Sequence, residues 1–534
     1  MNAPVAALPA PRWRRSLGSL VCVACAASVM LFLWSVAQFY QPGTGFSSLI
    51  AIGDQANPPV TELRETPHYV YENSAGYDST YYVQLALNPT LRNPELKKAI
   101  DNPQYRARRM LFSWVAWAAG LGQPTWIVQA HALLNVVCWL VLAGVLFRWF
   151  PPTSWENFLR WFGVMFSHGV CMSVHDSLVD GPSLLLVAIA LAWVEDGRQV
   201  RGMAMLALAG LGKETSLLAV TGLADGGWRS MRTWVRFALT AGLVALPLAV
   251  WFGYVHWRFP SAGDAGLNNF TLPFAGLAEK WGAVLGDMVT HPYSSTYRAA
   301  AAALVAATVQ LGFFMLWRRP GEIWWRVGAS FAVLMVFLST PVWEGYPGAF
   351  TRVLLPMTLA FNVLVPRGRV WLVVLIAGNL NVLAGLKEFS PPGRDFFQLT
   401  GEPKAVAAVQ VARTTGWYGV EEYAGLRWRW SAGDAVLGLR NGSGRPLQVI
   451  IRGRAASALD RRQLVIRAAG VQVWSGTLAD QVVPFQCGFV APAGESLISF
   501  TTDQAPHAVG ADTRRMAFKV FNLEVVVQPM TGQR

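Results

Sequence analysis

The stretch RWRRSLGSLVCVACAASVMLFLWSVAQFY, residues 12–40, decides the class of fold. Arg12, Arg14 and Arg15 stand before an apolar run from Leu17 to Phe39. About 20 apolar residues cross the hydrocarbon of a bilayer. A secretory signal has a shorter apolar core that ends at a small-residue cleavage site. This run is longer and ends without a convincing site, so it reads as an uncleaved first transmembrane helix. Its basic flank belongs in the cytoplasm.

The rest of the chain repeats the pattern. Of its 534 residues 53% are hydrophobic and only 14% charged, against roughly 25% charged in a soluble protein. Most of the surface must therefore face lipid or other protein. The formal charge of +13 comes from short basic clusters between apolar runs, as the positive-inside rule expects. No compact basic domain exists to bind nucleic acid. Cys22, Cys25, Cys138 and Cys171 lie in apolar segments and only Cys487 lies beyond them, which argues against disulfides and a cysteine metal site.

After the first helix comes a polar loop, residues 40–109, far longer than an ordinary connection. Residues 110–121 are apolar but too short to span, and predict an interfacial helix. Further spans follow at 126–147, 159–175, 181–194, 233–256, 299–317, 324–341, 350–366 and 370–387. The stretch 202–224 is interrupted by Gly212-Lys213-Glu214. A straight span would bury two charges at mid-membrane, at roughly 2.5–3.5 kcal/mol each, and would carry Arg232 and Arg236 to the wrong side. A re-entrant helical hairpin with Lys213-Glu214 near its apex removes both problems, since broken backbone is permitted where protein or water satisfies it.

Residues 1–16 are then a cytoplasmic N-terminus, 17–390 a transmembrane domain and 391–415 a linker. Residues 416–530 form a soluble β-sandwich, because short β-branched and aromatic segments alternate there with Gly-, Asn- and Asp-containing turns. The charge alternation predicts a multi-pass membrane protein whose C-terminal domain lies outside. Trp417, Tyr418, Trp428 and Trp430 lie close together and are candidates for stacking on sugar rings, or for the core or the membrane interface.

The layout resembles the GT-C glycosyltransferases, which include protein O-mannosyltransferases, aminoarabinose transferases and oligosaccharyltransferases. The segment Gly76-Tyr77-Asp78-Ser79-Thr80-Tyr81-Tyr82-Val83-Gln84-Leu85-Ala86 is similar to a motif of bacterial GT-C-like membrane proteins. Gly-Tyr-Asp is usually followed there by Gly-Gln, and Ser79-Thr80 departs from that. Tyr105–Arg109, Trp343–Gly348 and Thr351–Pro356 also look like that group. Asp180-Gly181-Pro182 resembles the acid that opens an outer helix end in several GT-C families.

The resemblance implies a membrane glycosyltransferase that takes a sugar from a polyprenyl-phosphate donor. Such chemistry needs a carboxylate for the acceptor hydroxyl, cations for the departing phosphate, and an apolar groove for the isoprenoid. Asp78 is the expected catalytic acid, with Tyr77, Tyr81 and Tyr82 packed round it; its other reading is a cap on the helix starting near Ser79. Asp54 and Asp101 are substitutes. Arg109, Lys213 and Arg352 are the expected phosphate ligands, against the readings of headgroup contact for Arg109, snorkelling for Arg352 and an internal ion pair with Glu214 or another acid for Lys213.

Asp180 and Glu344 are candidates for holding an acceptor or a divalent cation, although isolated acids give no metal spacing. The histidines His68, His168, His175 and His291 look scattered. The acceptor, whether glycan, lipid or protein, is not named by any motif. A lipid-linked glycan flippase or transporter, a glycan polymerase or ligase, and a non-catalytic membrane scaffold are the rival readings.

Overall fold

The structure is a computed structural model that describes residues 12–41, 43–71, 74–224, 230–260, 266–392, 396–423, 426–458, 460–479, 481–509 and 512–530. Residues 1–11 of the expected cytoplasmic segment lie outside the described residues. The chain divides into two compact units. One holds residues 1–39 and 46–391, and the other residues 40–45 and 392–534.

The first unit is helical, and the protein is a multi-pass membrane protein. Among the described residues, four helices are long and apolar enough to cross a bilayer: Leu20–Ala37 within the first helix, Pro124–Leu146, Met231–Arg258 and Ser295–Leu316. Shorter apolar helices stand at Ile323–Phe337, Leu355–Leu364 and Arg369–Gly378.

Between apolar helices in lipid, van der Waals fit supplies the attraction that water would otherwise drive. The first helix shows this division. Phe32 is buried and stacks on Trp139 at 3.7 Å between ring centroids, while Met30, Leu31 and Trp34 on its other face remain exposed. The Met231–Arg258 helix has little of its length buried. Its exposed Leu239, Leu243, Leu246 and Val250 form a surface that hydrocarbon satisfies.

The expected helix 159–175 is broken, and the 202–224 stretch is broken at the interruption its sequence carries. The 159–175 run forms Trp155–Met165 and His168–His175, separated at Phe166 and Ser167. The 202–224 run forms the helix Gln199–Gly212, one extended residue at Lys213 (φ −157°, ψ 120°), and a 3-10 segment Glu214–Leu223. The loop after the first helix is ordered by short helices, among them Ser79–Leu87 and Pro103–Ala107.

The second unit is an antiparallel near-barrel, or sandwich, built from β1 (Phe397–Gly401), β2 (Val409–Tyr423), β3 (Leu426–Asn441), β4 (Leu447–Ser457), β5 (Arg462–Ala468), β6 (Val471–Leu478), β7 (Val483–Ala491), β8 (Gly494–Thr502), β9 (His507–Val509), β10 (Asp512–Met516) and β11 (Phe518–Pro529). The main sheet runs β6-β5-β8-β3-β11-β4-β7, with β1 joined parallel to β11 and β2 joined to β3. Strand β3 is shared: Trp428–Trp430 pair with β11, whereas Ala435–Asn441 pair with β8. Residues alternate between core and solvent as a sheet with one buried face requires, clearly so along β7.

Residues 391–415, expected as a linker, instead carry β1, the short helix Pro403–Ala407 and the start of β2, so the unit begins at Pro392. The expected aromatic cluster divides, with Trp417 in the core. Trp417 packs on Phe396, Phe500 and Phe518 and donates its indole N–H to the Val436 carbonyl at 3.0 Å. Trp428 and Trp430 lie beneath the Lys519 ammonium.

Candidate functional site

Asn102 and Pro103 start the construction. The Asn102 side chain accepts from the Tyr105 backbone N–H at 3.0 Å, and Pro103 occupies the first helical turn. This cap and proline pair nucleates a short helix without using a donor. The turn sends Arg106, Arg108 and Arg109 toward three acids, Asp78, Asp101 and Glu214.

Arg106 takes two of them. Its Nη1 lies 2.8 Å from Asp78 and its Nη2 2.7 Å from Asp101, and the guanidinium lies over the Tyr81 ring at 4.9 Å. Asp78 does occupy the N-cap position of Ser79–Leu87, but its side chain makes no capping hydrogen bond. The carboxylate is committed to a cation and keeps 24% exposure. Asp54, the other substitute, is an exposed residue that accepts from the Ser74 N–H.

Lys213 and Glu214 serve two different clusters. The extended backbone at Lys213 turns adjacent side chains apart, as in a strand. Glu214 receives Arg109 through Nε at 2.8 Å and Nη2 at 2.6 Å, and Arg108 at 2.7 Å. Arg109 also donates to the phenol oxygens of Tyr82 and Tyr105, each at 3.0 Å. Lys213 bonds the Asp180 carboxylate, whose second oxygen lies 3.2 Å from Arg352. Arg352 then donates to the Tyr77 hydroxyl at 2.6 Å, so this cluster ends on the residue preceding Asp78. Burial, opposed by the Arg352 charge, pushes the Tyr77 phenol up to about 12 and keeps it a neutral hydroxyl.

The structure therefore brings together Asp78, Tyr82, Arg109, Asp180, Lys213 and Arg352 in linked or neighbouring contacts. Lys213 finds Asp180 as its acid, rather than its chain neighbour Glu214. Glu344 stays out of these contacts: it is an exposed residue just after the short helix Thr340–Trp343. Among the described residues no three His, Cys, Asp or Glu side chains form a group suited to a metal.

A third cluster was hidden in the apparently scattered histidines. His168 hydrogen-bonds Thr351 at 2.7 Å through Nδ1 and lies 3.2 Å from Glu388 through Nε2. His175 is 3.4 Å from the other Glu388 oxygen and 3.7 Å from Asp176. Burial opposes a charged Glu388, but the two imidazoles outweigh it and hold the acid down at about 2. Asp176 goes the other way: burial pushes it up to about 6, helped by Glu388 and Asp78 and opposed by His175 and Arg352. The seven-residue spacing of His168 and His175 puts both on one helix face. No comparable signal reaches Glu388, which is 213 residues beyond His175 in the numbering.

Gly169 makes these clusters neighbours. A Cβ there would stand 2.3 Å from the Thr351 carbonyl oxygen and 3.0 Å from the Arg352 Cα. Only glycine lets the His168–His175 helix approach the backbone that carries Arg352.

Solved structures resemble the chain at low identity. One is ArnT from Cupriavidus metallidurans in the apo state, with 13% identity and a TM-score of 0.36 over 65% of this chain and 61% of that one. Another is the arabinosyltransferase EmbB from Mycobacterium smegmatis, with 11% identity and a TM-score of 0.26 over 98% of this chain and 66% of that one. The chain thus spans less than two thirds of the length of either structure. No protein-family model and no curated protein matches it. With TM-scores below 0.5, these likenesses decide nothing about the chemistry of this chain, which rests on its own residues.

Proposed function

We propose that this protein is a glycosyltransferase of the bacterial inner membrane that moves a sugar from a polyprenyl-phosphate donor to an acceptor hydroxyl on the outer face. The observation that carries the reading is the division of labour between two acids. Asp180 is 3% exposed and clamped by Lys213 and Arg352, whereas Asp78 is 24% exposed and held from one side by Arg106. A buried acid between two cations orients them. A partly open acid on a fixed guanidinium can reach a substrate.

In the proposed reaction the acceptor oxygen attacks the anomeric carbon while its proton passes to Asp78. The bond from that carbon to the phosphate oxygen breaks, and the polyprenyl phosphate leaves with the electron pair. Charge grows on the phosphate as the bond lengthens, so cations aimed there favour the transition state over the ground state. Arg109, Lys213 and Arg352 are assigned this role, with Tyr82 setting the Arg109 fork. Arg352 Nε is buried without a hydrogen-bond acceptor among the described residues, a spare donor of the kind a phosphate oxygen satisfies. Asp180 holds the cations in place; Glu344, in the Trp343–Gly348 loop, is assigned to the acceptor.

The test is transfer of radiolabel from polyprenyl-phosphate sugars by the purified protein, with Asp78→Asn alongside. Transfer by the parent and its loss in the variant supports the enzyme. Label that crosses vesicles without being transferred supports a flippase and sinks the proposal.

A further inference from the structure

Arg352 is presented by a single turn, Phe350–Val353. One turn fixes several dihedrals for few hydrogen bonds and is costly to nucleate alone, so its place must be set from outside. The Thr351 hydroxyl donates to the Gly348 carbonyl at 3.0 Å, tying the turn to the loop before it. The same hydroxyl oxygen lies 2.7 Å from His168 Nδ1. Behind His168 stands Glu388. The short helix Val382–Gly385 is pressed on the start of the His168–His175 helix, where a Cβ on Gly385 would stand 3.0 Å from the His168 backbone nitrogen. That approach brings Glu388 to 3.2 Å from His168 Nε2. His168 is 3% exposed on its side chain, so its hydrogen bonds must come from these protein partners.

The supply of hydrogens decides how the ring is used. A hydroxyl has one hydrogen to donate and an ionised carboxylate has none. With the Thr351 hydrogen on Gly348, both ring nitrogens of His168 face acceptors. All three contacts are satisfied together only when both nitrogens carry a proton. A neutral ring satisfies two of them. With its proton on Nε2 it draws the Thr351 hydrogen away from the Gly348 carbonyl and unties the turn. The bond from a cationic ring to a carboxylate is also roughly twice as strong as a neutral one, which favours the three-bond arrangement.

We infer that His168, protonated on both nitrogens between Thr351 and Glu388, is a positioning residue for Arg352, and that phosphate binding at Arg352 weakens when the ring loses a proton. The inference rests on the assignment of Arg352 to the donor phosphate. It adds a dependence on pH that Asp78 and the transfer step do not supply. Other titratable or charged groups surround the same contacts. His175 and Asp176 stand at the end of the same helix, and His175 shares the Glu388 carboxylate. Cys171 lies close to that acid. Arg352 and its partner Asp180 stand beyond Thr351.

The test titrates the full chain in nanodiscs with a polyprenyl phosphate, whose binding needs no transfer, from about pH 6 to about pH 9. The parent's affinity, divided by that of His168→Asn at each pH, should fall about tenfold across the range, within the span usual for coupled sites. The asparagine amide can donate to Thr351 without titrating. The ratio also cancels the titration of the phosphate and of the groups common to both proteins. Thr351→Val lacks the hydroxyl and should give the same falling ratio if the asparagine variant does not fold, whereas Thr351→Ser should keep the parent's pH profile. Nitrogen-15 spectra of the histidine-labelled chain near neutral pH should show two N–H groups on the ring that responds to Thr351→Val. A bare nitrogen on that ring overturns the inference. A ratio that is flat with pH overturns it too, as does a parent that binds no polyprenyl phosphate. A parent that shows the falling ratio but transfers no sugar supports the inference and sinks glycosyl transfer.

Discussion

The Arg106 guanidinium stands 2.8 Å from the Asp78 carboxylate. The same cation holds Asp101 at 2.7 Å, so it fixes Asp78 against a second acid in the same loop. Asp78→Asn keeps the shape of the side chain and removes the proton acceptor. Transfer should fall by about 10²–10⁴. Arg106→Gln leaves the acid present but unheld, and a smaller loss, about tenfold, is expected in the same radiolabel assay. Transfer undiminished in Asp78→Asn would remove that acid from the reaction.

Asp180 tests the buried pairing. Removing the anion leaves Lys213 and Arg352 facing each other without compensation, and breaking a buried pair from one side costs roughly 3–5 kcal/mol. Asp180→Asn should therefore melt well below the parent. Lys213→Met leaves Asp180 still paired with Arg352 at 3.2 Å and should cost less than half as much. Thermal melts in detergent compare the two, and the reverse ranking would contradict the pairing.

Gly169 should tolerate no side chain. Its Cβ would meet the Thr351 carbonyl at 2.3 Å, and backbone cannot swing aside as a flexible side chain can. Gly169→Ala should cost roughly 1–3 kcal/mol, the usual range for overpacking, and should slow transfer by displacing Arg352. A variant with the parent's melting temperature and rate would show that the close approach is dispensable.

Glu388 gives a pH-dependent test. Its folded pKa of about 2 lies below the 4.5 usual for a glutamate, so its two imidazole partners stabilise the fold when it is ionised. That contribution is complete above about pH 4.5 and fades as pH falls toward 2. It is worth at most about 3 kcal/mol, from 1.36 kcal/mol per unit. Glu388→Gln should melt below the parent at pH 7, with the gap narrowing by pH 3. A gap that stays constant with pH would remove the electrostatic explanation.

Asp176 has the opposite sign. Burial raises it from 3.8 to about 6, so the folded state favours the protonated acid. Its ionisation costs stability progressively as pH rises from about 4 to 6. Asp176→Asn should match the parent near pH 4 and melt above it at pH 8. A variant that melts below the parent at pH 8 would mean that the His175 and Arg352 attractions outweigh burial.

Much of this architecture was legible before any coordinates. The Leu17–Phe39 run, the long polar loop and the β-branched segments after Gly416 each carry a periodicity or length that depends on neighbours in the chain. The interruption at Gly212-Lys213-Glu214 was legible too, because two adjacent charges in an apolar stretch are expensive anywhere along a span. Lys213's partner was not. On paper the acid is Glu214 or another, and the extended backbone at Lys213 is what sends the side chains of Lys213 and Glu214 apart. The role of Asp78 was read from a motif, but its choice of Arg106 over a helix cap depended on where the Pro103–Ala107 helix lies.

By itself the sequence determined that apolar helices come first and a strand-rich region follows, because apolar run length and strand alternation are properties of consecutive residues. It also marked the charges that a membrane protein would not retain without use. Only the tertiary structure decided how those charges pair: Arg352 with Asp180, Glu388 with His168 and His175, and Arg452 in register with Glu524. Ion pairs act over a few ångströms, and residues that far apart in the chain reach that distance only after the helices and strands have packed.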